Sequence, residues 1–196
     1  MHYTGIEPDK SEAAKAQRIL KYPNTTIHNS FAYKGFEKDK ASYDIVLSLS
    51  VLEHVKDLEA FLSFSLQQAK KGATIIHLYD LGHALHSSSI SERIQVAACN
   101  GPLRFLMPES RIACYVDLAE VQTKMKRAGA KINKVTRHNS TGAVEKVKHL
   151  PDTAQGRKLA LQAEHLEMDA AQHTKNLSTI ELEKLYPSIC VWATKR

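Results

Sequence analysis

A short and almost entirely apolar segment, Tyr43–Leu49, sets the strongest limit on the fold. Near-continuous apolar runs of this length are typical of strands that are buried on both faces of a parallel sheet. A second run of this kind, Ala73–Tyr79, follows after an interval that is long enough for one helix. Parallel strands need a crossover connection, so the pattern predicts an α/β fold with helices on both faces of the sheet.

The rest of the chain continues this alternation. Strands are predicted at residues 2–7, 25–31, 131–137 and 188–194, in addition to the two apolar runs. Helices are predicted at residues 9–21, from Leu58 to a cap at Gly72, and at residues 117–128, where Asp117 and Glu120 form a capping box. Residues 81–116 have no clear pattern, and residues 153–175 favour a polar helix. No linker divides the chain, so residues 1–196 are interpreted as one domain, with 140–187 as an insertion or lid.

Composition narrows the classes of protein to which the chain can belong. No apolar run approaches the roughly 18 residues of a membrane span, and three widely spaced cysteines predict neither a disulfide framework nor a metal site. These features favour the cytoplasm. The formal net charge of +6 arises from residues 101–196, with many cations between Lys124 and Lys148. This basic cluster indicates a solvated face more than a nucleic-acid surface, because no aromatic residues are interspersed for base stacking.

Four ordered segments resemble the class I S-adenosylmethionine-dependent methyltransferases. Residues 5–9 (Gly-Ile-Glu-Pro-Asp) are similar to the end of the second strand of that family, and residues 43–55 (YDIVLSLSVLEHV) to its fourth strand and the following loop. Residues 69–80 resemble the next helix end, glycine turn and fifth strand, and residues 78–83 resemble a "DLxDH" sequence found after that strand. The resemblance implies a Rossmann-like sheet and S-adenosyl-L-methionine as cofactor.

The first strand of that family and its glycine-rich loop have no counterpart in this sequence. Among the eight glycines no two lie within three residues of each other, so no GxG motif is present. The family's sheet order, 3-2-1-4-5-7-6, puts the absent strand between residues 2–7 and 43–49. These two segments are therefore expected either to pair directly or to leave open edges, which would favour self-association. Two explanations remain open: Met1 is an internal methionine, which we prefer, or the chain is a repurposed relative.

The resemblance also implies which residues contact the cofactor. Glu7 corresponds to the acidic residue that binds the ribose hydroxyls, and Pro8 lies where the chain passes the adenine. Glu7 could equally be an acid that flanks a helix, and Phe31 could be a core residue. The complete set of expected cofactor contacts, all at the ends of strands, is Glu7, Pro8, Ser30, Phe31, Ser48, Leu49 and Ser50.

Three further residues are candidates for contact with the methyl acceptor. His54 has a side chain suited to removing a proton from an oxygen acceptor, although it could instead cap or pack the next helix. Asp80 and His83 follow the fifth strand and are expected to position the acceptor. The sequence thus predicts O-methylation of a small-molecule or glycan-type acceptor. The alternatives are a non-catalytic interaction module and a basic RNA-binding or polyanion-binding domain.

Overall fold

The computed structural model of the chain describes residues 2–36, 41–85, 89–107, 112–138 and 147–196. Its strands are β1 (Tyr3–Ile6), β2 (Thr25–His28), β3 (Tyr43–Leu49), β4 (Ala69–Asp80), β5 (Ala130–His138) and β6 (Ser188–Lys195). Its helices are α1 (Lys10–Ile19), α2 (Ala32–Gly35), α3 (Leu58–Gln68), α4 (Gly82–Leu85), α5 (Ile90–Asn100), α6 (Leu118–Arg127), α7 (Ala154–His173) and α8 (Thr179–Leu185). Two 3-10 helices span Leu52–His54 and Pro102–Leu106.

The strands form two sheets that are not hydrogen-bonded to each other. β1 and β2 pair in parallel, while the larger sheet has the order β3-β4-β6-β5. In that sheet β3 is parallel to β4, and β6 is antiparallel to both of its neighbours. Of the two outcomes expected for residues 2–7 and 43–49, the structure shows the second, because β1 and β3 each keep one edge unpaired in the described part of the chain.

One face of the larger sheet carries the core. Alternate residues of β4 and β6, among them Ile75, Tyr79 and Val191, are fully buried with Leu62 of α3 and Met125 of α6. Helix α7 lies against β5. These helices and the mixed sheet confirm the α/β, Rossmann-like fold class.

The opposite face is exposed over β3. Ile45, Leu47 and Leu49 alternate along that strand and are 53%, 54% and 58% exposed, whereas Ser48, which points to the core face, is buried. A strand with period-two exposure has one face in the core and the other open. The prediction that β3 is buried on both faces is therefore wrong for the described structure, since no described helix covers this side of β3.

Ring contacts join the two sheets. Phe36 packs edge-on against His28 of β2, with ring centroids 5.0 Å apart, and against Phe64 of α3 at 6.2 Å. Tyr33 of α2 contacts Phe61 of α3 in the same way at 6.3 Å. Edge-to-face contacts of this geometry are favourable beyond the apolar area that they bury. They hold the β1-β2 sheet on α3 without any strand pairing.

Local signals predicted several elements correctly. Asp117 caps α6 by accepting a hydrogen bond from the Glu120 backbone nitrogen at 2.8 Å, and Gly129 beyond it has a φ of 100°. Thr153 caps α7 in the same way, within the segment predicted to be a polar helix.

Two other predictions were wrong, and one helix was missed. Helix α3 ends at Gln68, and Gly72 lies inside β4 with a φ of 80° rather than at the helix cap. The segment 81–116, expected to be irregular, contains α4, α5 and the second 3-10 helix. Helix α8, which begins with a complete capping box at Ser178 and Glu181, was not predicted.

Substitutions on the open face of β3 should have little effect on stability. We expect Leu47→Ser to lower the free energy of unfolding by less than about 1 kcal/mol, because its side chain is already half exposed. Ile75→Ala, on the buried face of the adjacent strand, should cost about 2–5 kcal/mol. Urea denaturation of both variants tests this contrast. A cost above about 2 kcal/mol for Leu47→Ser would mean that this face is covered in solution.

Candidate functional site

The carboxyl end of β1 presents an acidic side chain. Glu7 is half-buried, and its Oε1 accepts a hydrogen bond from the Asp9 backbone nitrogen at 2.9 Å. The backbone oxygens of Glu7 and Pro8 both accept from Asn29 Nδ2, at 3.0 and 2.9 Å. These contacts fix the turn and leave Pro8 exposed beside the carboxylate.

Ser30 and Phe31 follow β2. The hydroxyl of Ser30 is buried and has no hydrogen-bond partner among the described residues. A buried hydroxyl without a partner costs free energy, so the position of Ser30 suits a polar ligand group. Phe31 is 42% exposed, with Lys34 Nζ 5.9 Å from its ring centroid, so it is not a core residue.

The three residues at the end of β3 differ in what they present. The Ser48 hydroxyl points into the core and bonds to His77 Nδ1 at 2.7 Å, so only its backbone faces the strand end. Leu49 is exposed. Ser50 has a φ of 50°, a left-handed conformation that few residues other than glycine adopt. Strained backbone of this kind is found more often at ligand sites than elsewhere.

Glu53 lies at the centre of a polar cluster behind the strand ends. Its carboxylate is 1% exposed, and Oε1 lies 3.3 Å from the Asp80 backbone nitrogen, which donates to it, and 4.0 Å from His54 Nε2. Oε2 has no partner among the described residues. Burial raises the pKa of Glu53 above its usual range, against smaller lowering effects from its own backbone and from His54.

His54 is held in one orientation. Its Nδ1 is 2.6 Å from the carbonyl oxygen of Ile112, which can only accept, so Nδ1 carries a proton. Nε2 of the neutral ring is therefore the basic atom, and it faces Glu53. The ring is 43% exposed, and helix α3 is capped by Asp57 rather than by His54. His54 therefore does not cap the helix that follows it.

Asp80 is half-buried at the end of β4 and aligns across the sheet with Ser188 and His138. These three residues form a polar row that the sequence could not reveal, because it depends on the register of β5 and β6. His83 belongs to α4, and its side chain lies outside the described residues.

A second polar cluster lies at the same end of these strands, on the core face of the sheet. Tyr79 and Arg137 both align with Ile189, so their side chains share one face. Arg137 Nη2 lies 3.4 Å from Glu183 Oε1 of α8, and the Tyr115 hydroxyl donates to Glu183 Oε2 at 2.8 Å. Desolvation and this hydrogen bond raise the pKa of Tyr115 to about 12. These contacts attach helix α8 to this end of the sheet.

Among the described residues, no three His, Cys, Asp or Glu side chains are placed to hold a metal ion. No helix in the described ranges is long and apolar enough to cross a membrane. Lys124, at one end of the basic cluster, pairs with Glu59 at 2.8 Å and Glu120 at 3.6 Å, while residues 139–146 of that cluster lie outside the described structure.

Comparison with known proteins supplies the family. Residues 1–135 match a family model described as a methyltransferase domain. No curated protein matches the chain.

Solved structures of similar fold belong to proteins with different activities. A Mesorhizobium loti S-adenosylmethionine-dependent methyltransferase is 14% identical with a TM-score of 0.59, covering 99% of this chain and 80% of its own. A Haemonchus contortus phosphoethanolamine N-methyltransferase in complex with S-adenosylmethionine is 13% identical with a TM-score of 0.54, covering 98% of this chain and 43% of its own. The [4+2]-cyclase SpnF is 13% identical with a TM-score of 0.55, covering 100% of this chain and 67% of its own.

The buried histidine beneath the site should make stability fall in weak acid. Desolvation lowers the pKa of His77 to about 4 in the folded protein, below its ordinary value of about 6.5. The unfolded chain therefore binds a proton that the folded chain refuses, so stability present above pH 6.5 is lost as the pH falls toward 4. From this group the loss is about 1.4 kcal/mol per pH unit over that range. We expect urea denaturation between pH 4.5 and 7.5 to show that the free energy of unfolding depends less steeply on pH in His77→Gln than in the wild type. The exposed control His165→Gln should keep the wild-type dependence on pH. Equal slopes in all three proteins would contradict the account.

Glu53 should have the opposite pH dependence. Because burial raises the pKa of Glu53 in the folded state, its stabilising contribution is complete below the ordinary value of about 4.3 and is lost as the pH rises. Glu53→Gln keeps an oxygen that accepts from Asp80 and cannot ionise. We expect this variant to be more stable than the wild type at pH 7.5 and equal to it near pH 4, as measured by denaturation. Lower stability at both pH values would show that the carboxylate is not destabilised by burial.

Proposed function

Because this chain belongs to the methyltransferase-domain family, whose cofactor is S-adenosyl-L-methionine, we propose that it methylates an oxygen atom of a small-molecule acceptor. The observation that carries the proposal is the orientation of His54. Its Nδ1 donates to the Ile112 carbonyl, which makes Nε2 the proton-accepting nitrogen of the ring, and the ring is partly open to solvent. We expect the reaction to take place in the cytoplasm.

The residues at the strand ends fit the polar part of the cofactor. Glu7 offers a half-buried carboxylate in which only Oε1 has a hydrogen-bond partner given by the structure, and a ribose needs an acceptor of this kind for its hydroxyls. Ser30 offers a buried hydroxyl without a described partner, and the exposed ring of Phe31 suits the face of an adenine. Leu49 and Ser50 are expected to contribute an apolar surface and backbone groups.

When bound, S-adenosylmethionine supplies a methyl group on a sulfonium that an acceptor oxygen can attack directly. The chain has two tasks in this reaction, which are to align the acceptor and to remove its proton. His54 Nε2 takes the hydroxyl proton as the new oxygen–carbon bond forms and the sulfur–carbon bond breaks, leaving S-adenosylhomocysteine. Glu53, 4.0 Å away, stabilises the imidazolium that results. Asp80 and His83 are proposed to position the acceptor.

A non-catalytic interaction module is the second candidate. The open edges of β1 and β3 favour it, because unpaired strands are ready sites for another chain or for a second copy of this one. The two candidates differ in whether the folded chain binds the cofactor product.

S-adenosylhomocysteine should bind the 196-residue chain in a one-to-one ratio, as measured by calorimetric titration. Glu7→Gln should weaken binding roughly 10-fold to 100-fold, because it removes a charged acceptor from the ribose hydroxyls. His54→Asn should leave the affinity within about twofold, since its role concerns the acceptor.

The control for this titration is Glu12→Gln on α1. Glu12 is also a solvent-accessible carboxylate near the end of β1, but it pairs with Lys15 at 3.3 Å. Its substitution should not change the affinity. Absence of binding by a folded wild-type chain would contradict cofactor binding by residues 1–196 on their own and favour the interaction module.

A further inference from the structure

An apolar groove lies between helix α5 and the 3-10 helix Pro102–Leu106. Its volume is about 470 Å³. The lining is formed by five apolar residues, Ile94, Ala98, Leu103, Leu106 and Met107, with Ser91 and Gln95 at its polar positions. The apolar residues of α5 follow the four-residue spacing of a single helix face.

Helix α5 and the 3-10 helix Pro102–Leu106 form a helical hairpin, and several apolar side chains that line the groove between them are exposed. Ile94, Leu103 and Leu106 are 65%, 55% and 80% exposed. Beneath them, Cys99 Sγ lies 3.6 Å from Met107 Sδ, so the hairpin has a small core of its own. Contiguous apolar patches on a surface mark binding sites more often than isolated apolar residues do.

The hairpin is attached to the candidate site. It follows the carboxyl end of β4, and Arg104 Nη2 donates to the Val55 carbonyl at 2.6 Å. The Cys114 backbone nitrogen, just beyond it, donates to the Glu53 carbonyl at 2.8 Å. The segment that lines the groove is therefore fixed by hydrogen bonds to the turn that carries His54.

The size and lining of the groove indicate its occupant. A volume of about 470 Å³ falls within the range of small-molecule sites and is less than two turns of a helix would fill. With two polar side chains among its described residues, the lining offers few partners for the many hydroxyls of a sugar. Aliphatic side chains and the polarisable sulfur of Met107 suit a ring or an alkyl chain.

We propose that this groove binds the apolar part of the methyl acceptor, so that the acceptor is a hydrophobic small molecule rather than a glycan. This assignment rests on the proposed methyltransferase function. The groove holds the ring or chain, and the acceptor hydroxyl extends toward His54.

A fluorescence titration with N-phenyl-1-naphthylamine, an uncharged apolar probe, tests the groove. We expect saturable one-to-one binding, weakened at least about fivefold by Ile94→Ser and by Leu106→Ser. Both side chains are more than half exposed, so the variants should fold. The matched control is Leu47→Ser, which removes a more than half-exposed leucine from the open face of β3, outside the candidate site, and should leave the affinity unchanged. A long-chain phenol should displace the probe, and methyl glucoside should not.

Three outcomes would overturn the assignment. One is the absence of saturable binding, and another is equal weakening by Leu47→Ser. The third is a wild-type dimer in sedimentation velocity that Ile94→Ser converts to a monomer, which would identify the groove as a contact between two copies. Titration with S-adenosylhomocysteine is independent of the probe. Cofactor binding without probe binding refutes the groove alone, and probe binding without cofactor binding refutes the proposed reaction.

Discussion

Edge-to-face ring contacts between β2, α2 and α3 determine how the two halves of the candidate site are placed relative to each other. Glu7 directly follows β1 and Ser50 directly follows β3, yet no hydrogen bonds join the two sheets in the described structure. Their relative position is fixed by side chains, among which Phe36 packs against both His28 and Phe64. In a continuous sheet the backbone would impose this geometry. Here it depends on a few ring contacts, each contributing about 0.5–1.5 kcal/mol beyond the area that it buries.

Elements with a strong local signal were predictable from the sequence. β3 was located at Tyr43–Leu49 because its apolar run is bounded by polar residues, and α6 because Asp117 caps it. Gly72 misled the prediction, since a glycine with positive φ inside a strand has the same sequence appearance as one that ends a helix. Helix α5 was not predicted, and its apolar face lines an open groove rather than the core.

The candidate site was predictable at the ends of strands and less so between strands. Glu7, Ser30 and Ser50 lie where the carboxyl ends of strands put them. Ser48 does not present its hydroxyl there, because alternation along β3 turns it toward His77. Glu53 lies within the segment 43–55 that resembles the family, but its contact with Asp80 depends on β3 and β4 being adjacent in the sheet. The row of Asp80, Ser188 and His138 likewise depends on pairing between distant segments.

The ends of β1 and β3 are proposed to form one cofactor site. Hydrogen–deuterium exchange with and without S-adenosylhomocysteine tests this claim most directly, since it reports on each segment separately. We predict that the amides of residues 5–9 and of residues 48–54 become protected together, with the same dependence on ligand concentration. Protection of only one of these segments, or of neither at saturating ligand, would contradict a site shared between the two sheets.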